Sequence, residues 1–423
     1  MVAMSGDGVI WLIAGLAIAG VVTRAFRVPE AAWAVLGAVA LVVSGLLPVS
    51  DALRGVARGS DVYLFLAGMM LLSEVGRREG LFDWIAAATV NRANGSPTRL
   101  FLLVFVVGTV VTAFLSNDAT AVVLTPAVYA VSKKAKADAL PFFFICAFVA
   151  NAASFLLPIS NPANLVLYGN HMPPLATWVR SFALPSVLSI VATYGVLRLV
   201  EGSRLREPCA RNVEQPQLSA AGWTALAGIG FTAIALLVAS TLGVQLGLPT
   251  CIMGTLTAIV VLARKRSSPL PLLRGISWSV LVLVAGLFVL VAALDRTGLT
   301  TTLASLLQSA AQQSASLAAA GAGVVVALAS NLTNNLPAGL IASSALARAQ
   351  LHAHEPQKIA DAVLIGLDLG PNLSITGSLA TILWLAAIRQ EGEDVGFWRF
   401  LKVGALVMPP ALILAIGARL LIG

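Results

Sequence analysis

Charge is what this sequence lacks most. Of its 423 residues only 11% are Asp, Glu, Lys or Arg, while 58% are hydrophobic. A soluble globular chain is about one quarter charged, so the polar surface here is too small to cover a soluble particle. Cysteine and histidine are scarce too, with three of each. Cys146, Cys209 and Cys251 stand far apart and show no metal-ligand spacing. His171, His352 and His354 fall in predicted outer loops, and neither a metal site nor a cofactor is read from them. No glycine-rich phosphate loop ending in Lys-Ser/Thr occurs, and no polar loop is long enough for an ATPase domain.

What is present in quantity is apolar sequence. Mean hydropathy is +0.90, and apolar runs at residues 9–22, 33–47, 101–115, 278–294 and 403–416 approach the ~20 residues that cross a bilayer. A transmembrane barrel would show alternating segments of ~10 residues instead. The predicted fold class is an all-α polytopic membrane protein, with the lipid bilayer as its surroundings. No basic stretch precedes the first run, so it reads as a retained span rather than a cleaved signal. The net charge of +8 does not point to nucleic acid, because the basic residues collect in loops beside apolar runs, where orientation signals sit.

Lys and Arg placement orients those runs. With the N-terminus outside, residues 9–22 run inward to Arg24 and Arg27, 31–47 run outward, and 62–75 return to Arg77 and Arg78. Residues 81–90 read as an interfacial helix. Residues 99–132 form a re-entrant hairpin that opens inward and breaks at Ser116-Asn117-Asp118. Residues 139–166 cross outward through an interruption at 158–164, and 176–197 return. The polar stretch 201–219 reads as a solvated cytoplasmic linker. The second half runs in the opposite sense, with 221–242 outward, 248–263 inward and 276–294 outward. A short semi-polar segment at 299–312 follows, then an outward-opening hairpin at 316–348. Residues 361–385 cross inward through a break at 370–377, and 400–421 leave. Of the 27 basic residues, all but Arg54, Arg58, Arg180, Arg296, Arg348, Lys358 and Arg419 fall inside. That bias fits an inner (plasma) membrane protein with both termini outside.

The two halves echo each other. Leu66-Ala67-Gly68 with Gly80-Leu81 is matched by Val284-Ala285-Gly286 with Gly298-Leu299, 218 positions on. Leu115-Ser116-Asn117-Asp118 is matched at 217 by Leu332-Thr333-Asn334-Asn335, and Ile159-Ser160-Asn161-Pro162 at 216 by Ile375-Thr376-Gly377-Ser378. A nearly constant spacing predicts two copies of one unit: residues 1–200 and 220–423, joined by the linker 201–219. Each copy holds five transmembrane helices and one hairpin. Five is odd, so the second copy is inverted in the membrane.

Broken helices expose backbone groups that lipid cannot satisfy, and they persist where protein or a water-filled cavity supplies partners. The repeat brings four breaks together near the midplane, where helix ends offer N–H donors and carbonyls. The first half contributes Ser116, Asn117, Asp118, Thr120, Ser160, Asn161 and Asn164. The second contributes Thr333, Asn334, Asn335, Ser374, Thr376, Gly377 and Ser378. Ser, Asn and Thr also cap helices well, and a cap can contact a ligand as well. Two carboxyls inside apolar runs, Asp118 and Asp368, are candidate proton carriers, with ion pairing or capping as their other roles. Glu74 and Asp295 lie at span ends and read as interfacial.

With these motifs laid out, the chain resembles the ion transporter superfamily, and within it the arsenite/antimonite efflux permeases of the ArsB type. Asn331-Leu332-Thr333-Asn334-Asn335-Leu336-Pro337 is similar to the family's second-hairpin signature. The stretch from Gly366-Leu367-Asp368-Leu369-Gly370-Pro371-Asn372 into Gly377-Ser378-Leu379-Ala380-Thr381-Ile382-Leu383-Trp384 is the most specific match. Asn117-Asp118 with Thr125-Pro126 fits the first hairpin. The stretch from Phe155 to Asn164 departs toward a form shared by relatives that carry other solutes. The resemblance implies export of As(III) or Sb(III) as neutral trihydroxides in exchange for protons, sometimes with a separate ArsA-type ATPase. It also implies a scaffold domain and a moving transport domain. The residues themselves fit a neutral hydroxylated solute: the breaks hold amides and hydroxyls but no arginine that would clamp a dicarboxylate. A sodium/proton antiporter or sodium-coupled anion carrier could use the same broken helices. An intramembrane enzyme would need a nucleophile–base pair or metal ligands at that depth, and no histidine lies there.

Overall fold

The computed structural model describes residues 6–23, 28–351 and 355–422, leaving aside the side chains of Asn170 and Glu355. Arg24, Arg27, His352 and His354 lie outside the described residues. Within them every regular element is a helix. The first half runs α1 (Gly6–Thr23), α2 (Glu30–Val43), α3 (Val49–Arg58), α4 (Ser60–Arg78), α5 (Leu81–Ala93) and α6 (Pro97–Phe114). It continues with α7 (Asn117–Ala119), α8 (Thr125–Lys134), α9 (Leu140–Ala152), α10 (Pro162–Tyr168) and α11 (Leu175–Val200). The second half is α12 (Ala220–Thr241), α13 (Gly247–Lys265), α14 (Leu270–Gly275), α15 (Ser279–Arg296) and α16 (Leu299–Gln313). It ends with α17 (Ala315–Thr333), α18 (Asn335–Arg348), α19 (Glu355–Leu369), α20 (Leu379–Gln390) and α21 (Phe397–Ile422).

Eight of the described helices are long and apolar enough to cross a membrane, or nine if the bent pair α3–α4 is one span. The remaining crossings are made from short pieces. α2 has 14 residues, about 21 Å of helix at ~1.5 Å per residue, less than the ~30 Å apolar core. The sequence pattern predicts most boundaries to within a few residues. Two short helices escape it: α3 and α14, both read as loop, because each is a brief amphipathic turn leading into a span.

Packing adds to the readings of residues 81–90 and 201–219. α5 buries Leu81, Phe82, Ala86, Ala87 and Val90 against the hairpin helices α6 and α8. α16 packs on α17 and α18 through Thr300, Ala304 and Ala311, with most of its other residues exposed. Gly80 and Gly298, which precede these two helices, take the same left-handed backbone, at φ 71° and 83°.

The linker is not simply solvated. Its Cys209 and Ala210 N–H groups donate to the carbonyls of Gly95 and Ala135 at 3.2 and 2.8 Å, one on each foot of the first hairpin. Val213 exchanges two bonds with the Asn91 amide, at 2.8 and 3.1 Å. Arg204 pairs with Asp138 at 2.7 Å. The segment is therefore a strap that holds the two feet together.

Glycine sets the closest helix crossings. A Cβ on Gly68 would lie 2.3 Å from the Thr250 carbonyl oxygen, and one on Gly254 would lie 2.5 Å from the Gly68 carbonyl, so α4 and α13 touch backbone to backbone. α15 meets α2 in the same manner, with Gly286 against Ala34. α17 and α19 are joined by Gly366, whose Cβ would stand 2.0 Å from the Gly323 carbonyl oxygen. Gly366→Ala is expected to force those helices apart and cost roughly 1–3 kcal/mol, the usual range for overpacking. Gly321→Ala, a site on α17 with open space around it, is expected to be neutral or slightly stabilising. Thermal melts of the two purified variants in one detergent check the contrast.

Candidate functional site

Four interruptions meet at the centre of the helix bundle. The first is the tip of the hairpin between α6 and α7. Ser116 caps α7, accepting the Ala119 N–H at 3.2 Å, and Asn117 Oδ1 accepts the Asp118 N–H at 2.9 Å. Pro126 brings no N–H to the helix that follows. Residues 120–124 widen into a π turn, a feature that often marks functional sites. Thr125 Oγ donates to the Thr120 carbonyl at 3.0 Å, and the Thr112 and Thr120 hydroxyls bond at 2.8 Å.

The second break separates α9 from α10. Ser160 donates to the Ala113 carbonyl at 3.0 Å and so fastens the break to the first hairpin. Asn161 Oδ1 caps α10 through the Ala163 N–H at 2.9 Å. The Asn164 amide donates to the carbonyls of Ser154, Leu157 and Pro158. From behind, α11 supplies Trp178 and Ser189 to the Phe155 and Ala152 carbonyls at 3.1 Å each. Protein thus satisfies backbone groups that lipid would leave bare.

The third break lies between α17 and α18. Asn334 holds φ 74° and ψ 153°, a strained conformation that is rare outside glycine, and its Oδ1 accepts the Leu336 N–H at 3.3 Å. The fourth lies between α19 and α20, where Ser378 and Thr381 form a capping box. Third and fourth breaks are bonded together. The Asn335 N–H donates to the Gly377 carbonyl at 2.8 Å. Asn331 donates to the Gly370 carbonyl at 3.0 Å and accepts from Ser374 at 2.8 Å. Thr376 donates to the Asn331 carbonyl at 3.2 Å.

Three side-chain bonds then join the two halves. Asn161 Nδ2 donates to Asp368 Oδ1 at 2.8 Å, Asn151 Nδ2 to Asn372 Oδ1 at 2.9 Å, and Ser378 Oγ to Asn151 Oδ1 at 3.3 Å. Asp368 is wholly buried, and its Oδ2 has no hydrogen-bond partner among the described residues.

A cavity of about 70 Å³ reaches this centre from the side of Arg77 and Arg78. It is lined by Ser116 and Asp118 of the first break, by Pro162 and Leu383, and by Ser73 and Glu74 of α4. No Lys or Arg is among its described walls. Glu74 is only 6% exposed. Both its oxygens are held, by Arg77 Nε and Nη2 at 2.7 Å each and by Arg78 Nε at 2.6 Å.

The candidate residues divide into groups. Ser374, Thr376, Gly377, Asn334 and Asn335 form one bonded group around Asn331, Ser378 joins Asn151, Asp368 joins Asn161, and Ser116 and Asp118 line the cavity beside them. Asn117, Thr120, Ser160, Asn164 and Thr333 bond mainly within their own break or to the adjacent helix; Thr333 Oγ, for example, donates to the Ala329 carbonyl at 3.1 Å. Asn151 was not singled out from sequence, yet it bridges to two residues of the other half. A signal was available: Asn151 stands 217 positions before Asp368, the same spacing that relates Asp118 to Asn335. Asn331 and Asn372, noted only as parts of the second-half motif, belong to these bonded groups. Glu74, read from sequence as a span-end residue, also lines the cavity.

Helices interrupted at the centre of an apolar bundle, with a cavity leading to the interruptions, define a polytopic membrane transporter. The chain belongs to the citrate transporter family CitMHS, which matches residues 10–366. It is 27% identical over 403 residues to an arsenical pump membrane protein of Escherichia coli, covering 91% of this chain and 92% of that one. A Yersinia enterocolitica arsenical pump membrane protein is 27% identical over 366 residues, 83% of each chain. Among solved structures, the YdaH transporter of Alcanivorax borkumensis shares the fold at TM-score 0.57 and 14% identity, over 88% of this chain and 86% of that one.

Proposed function

We propose that this chain exports As(III) and Sb(III) as neutral trihydroxides across the inner membrane in exchange for protons. One observation carries the reading: the cavity that reaches the central breaks ends on a carboxyl, Asp118, among neutral groups. A trihydroxide has three hydroxyl donors and three oxygen acceptors. The hydroxyls of Ser73, Ser116 and Ser277 and the carboxylate of Asp118 match it, Glu74 being already held by Arg77 and Arg78, and no Lys or Arg lines the described walls to hold an anion. The arsenical pump relatives favour the same solute.

Asp118 is the proton site open to the present cavity, and Asp368 is the sealed one. Residues 1–200 and 220–423 act as inverted repeats. The swapped contacts of α4 on α13 and α15 on α2 support this, since each exchanges the partners of the other. Both termini lie outside, the cavity beside Arg77 opens inward, and the strap at 201–219 is cytoplasmic. Hairpin and broken helix of each half move against the remaining spans to expose the site alternately. The family's description as a citrate transporter favours one rival, a carrier of citrate or another carboxylate anion, which would use the same broken helices with sodium as the coupling ion.

Everted membrane vesicles separate the two. Arsenite uptake should follow an acid-inside proton gradient, collapse with a protonophore, ignore sodium and need no ATPase subunit. Sodium-dependent citrate movement with no arsenite uptake would overturn the proposal in favour of the carrier.

A further inference from the structure

Beyond the central breaks lies a second cavity, of about 290 Å³, bounded by α3, α4, α10, α15 and α18. Its lining repeats that of the first cavity at the spacing of the two halves. Val62 stands where the first has Val280, Phe288 where it has Met70, and Val291 where it has Ser73, each 218 positions apart. At two further positions the chemistry changes. Ala292 replaces the carboxylate of Glu74, and Arg58 replaces the apolar Ile276. Ser343 and Ser344 add two hydroxyls from α18.

Neither these hydroxyls nor the Arg58 guanidinium has a hydrogen-bond or ion-pair partner among the described residues. Asp295 completes the wall, fixed by Arg348 at 2.7 Å and by the Thr300 hydroxyl. A carboxylate accepts about four hydrogen bonds, so Asp295 has capacity left. The volume corresponds to roughly ten waters at ~30 Å³ each, enough for a small hydroxylated solute with part of its hydration shell.

We infer that this cavity is an exit subsite for the trihydroxide, an inference that rests on the proposed export function. Arg58, Ser343 and Ser344 donate to the solute's oxygens, and Asp295 accepts from its hydroxyls. The first cavity offers carboxylate acceptors to the incoming solute; the second offers free donors. Solute present outside therefore occupies the subsite and slows further export.

In everted vesicles the second cavity faces the lumen. Vesicles are loaded with graded antimonite, and initial arsenite uptake from the bath is measured, each variant against its own rate in unloaded vesicles. Lumenal antimonite should inhibit the native protein. In Arg58→Ala/Ser343→Ala/Ser344→Ala the half-inhibiting concentration should rise about tenfold or more, the loss expected for one charge-assisted hydrogen bond. If that triple variant does not reach the membrane, Ser343→Ala/Ser344→Ala should still give a rise of about threefold from the two neutral donors. Unchanged inhibition in a variant that takes up arsenite overturns the subsite and leaves the export function standing. Absence of arsenite uptake by the native protein overturns the export function itself.

Discussion

Asp118→Asn is expected to reduce proton-driven arsenite uptake to background in a protein that still folds. The substitution preserves shape, and the Asp118 carboxyl makes no bond to another break. What it removes is a group that can gain and lose a proton on the wall of the inner cavity. Asn335 stands 217 positions on, at the tip of the second-half break, so an amide is already accommodated at a comparable tip. Arsenite exchange at zero proton gradient should survive at a reduced rate, because the remaining donors still hold the solute. Asp368→Asn should behave differently. Asp368 is buried and bonds Asn161 across the two halves, and an amide there would leave a buried N–H without a partner, at about 1–3 kcal/mol. That variant should lose driven uptake and exchange together. Uptake with and without an imposed gradient, measured on both variants, tests the division of roles. Full proton-driven uptake by Asp118→Asn would remove the carboxyl from the coupling mechanism.

Those roles also show what can be read from the chain. Spans are legible because the bilayer imposes length and apolarity on each of them, and both hairpin tips are legible because Ser, Asn and Asp stand out in apolar runs. Repeat spacing located the breaks. It also pairs Asn151 with Asp368, but a single asparagine in an apolar run carries no motif, and its bridging role emerges only when α9 packs against the turn at residues 370–373. Glu74 reads as interfacial because it stands at the end of an apolar run, just before Arg77 and Arg78. In the fold those arginines turn back onto it and leave it on the cavity wall. The linker's polar composition is that of a free loop. Its docking depends on main-chain bonds to Gly95 and Ala135, which composition does not encode. α3 and α14 were missed for a related reason: short amphipathic helices are stabilised by the spans they lean on more than by their own periodicity.

Arg419→Met is expected to destabilise the protein by about 3–5 kcal/mol, the cost of leaving one partner of a buried ion pair uncompensated. Read from sequence, Arg419 falls on the outer side, near the end of the last span. In the structure its Nε lies 2.7 Å from Asp361 Oδ2, with side-chain exposures of 5% and 0%. The other Asp361 oxygen accepts from Tyr168 at 2.5 Å and Gln357 at 2.7 Å. The cluster joins α21, α19 and α10, and so fastens a broken helix of each half to the last span. Removing the cation leaves a carboxylate facing two neutral donors in an apolar surrounding. Asp361→Leu should cost a similar amount by stranding the guanidinium. Arg419→Met/Asp361→Leu should recover most of the loss, because apolar replacement of a whole buried pair is often neutral or stabilising. Melting of the three purified variants decides the matter, each single change lowering the midpoint by roughly 5 °C for a chain of this size. A double variant no more stable than the singles would mean that Arg419 acts through the packing of its stem, and that its charge contributes little to holding the two broken helices together.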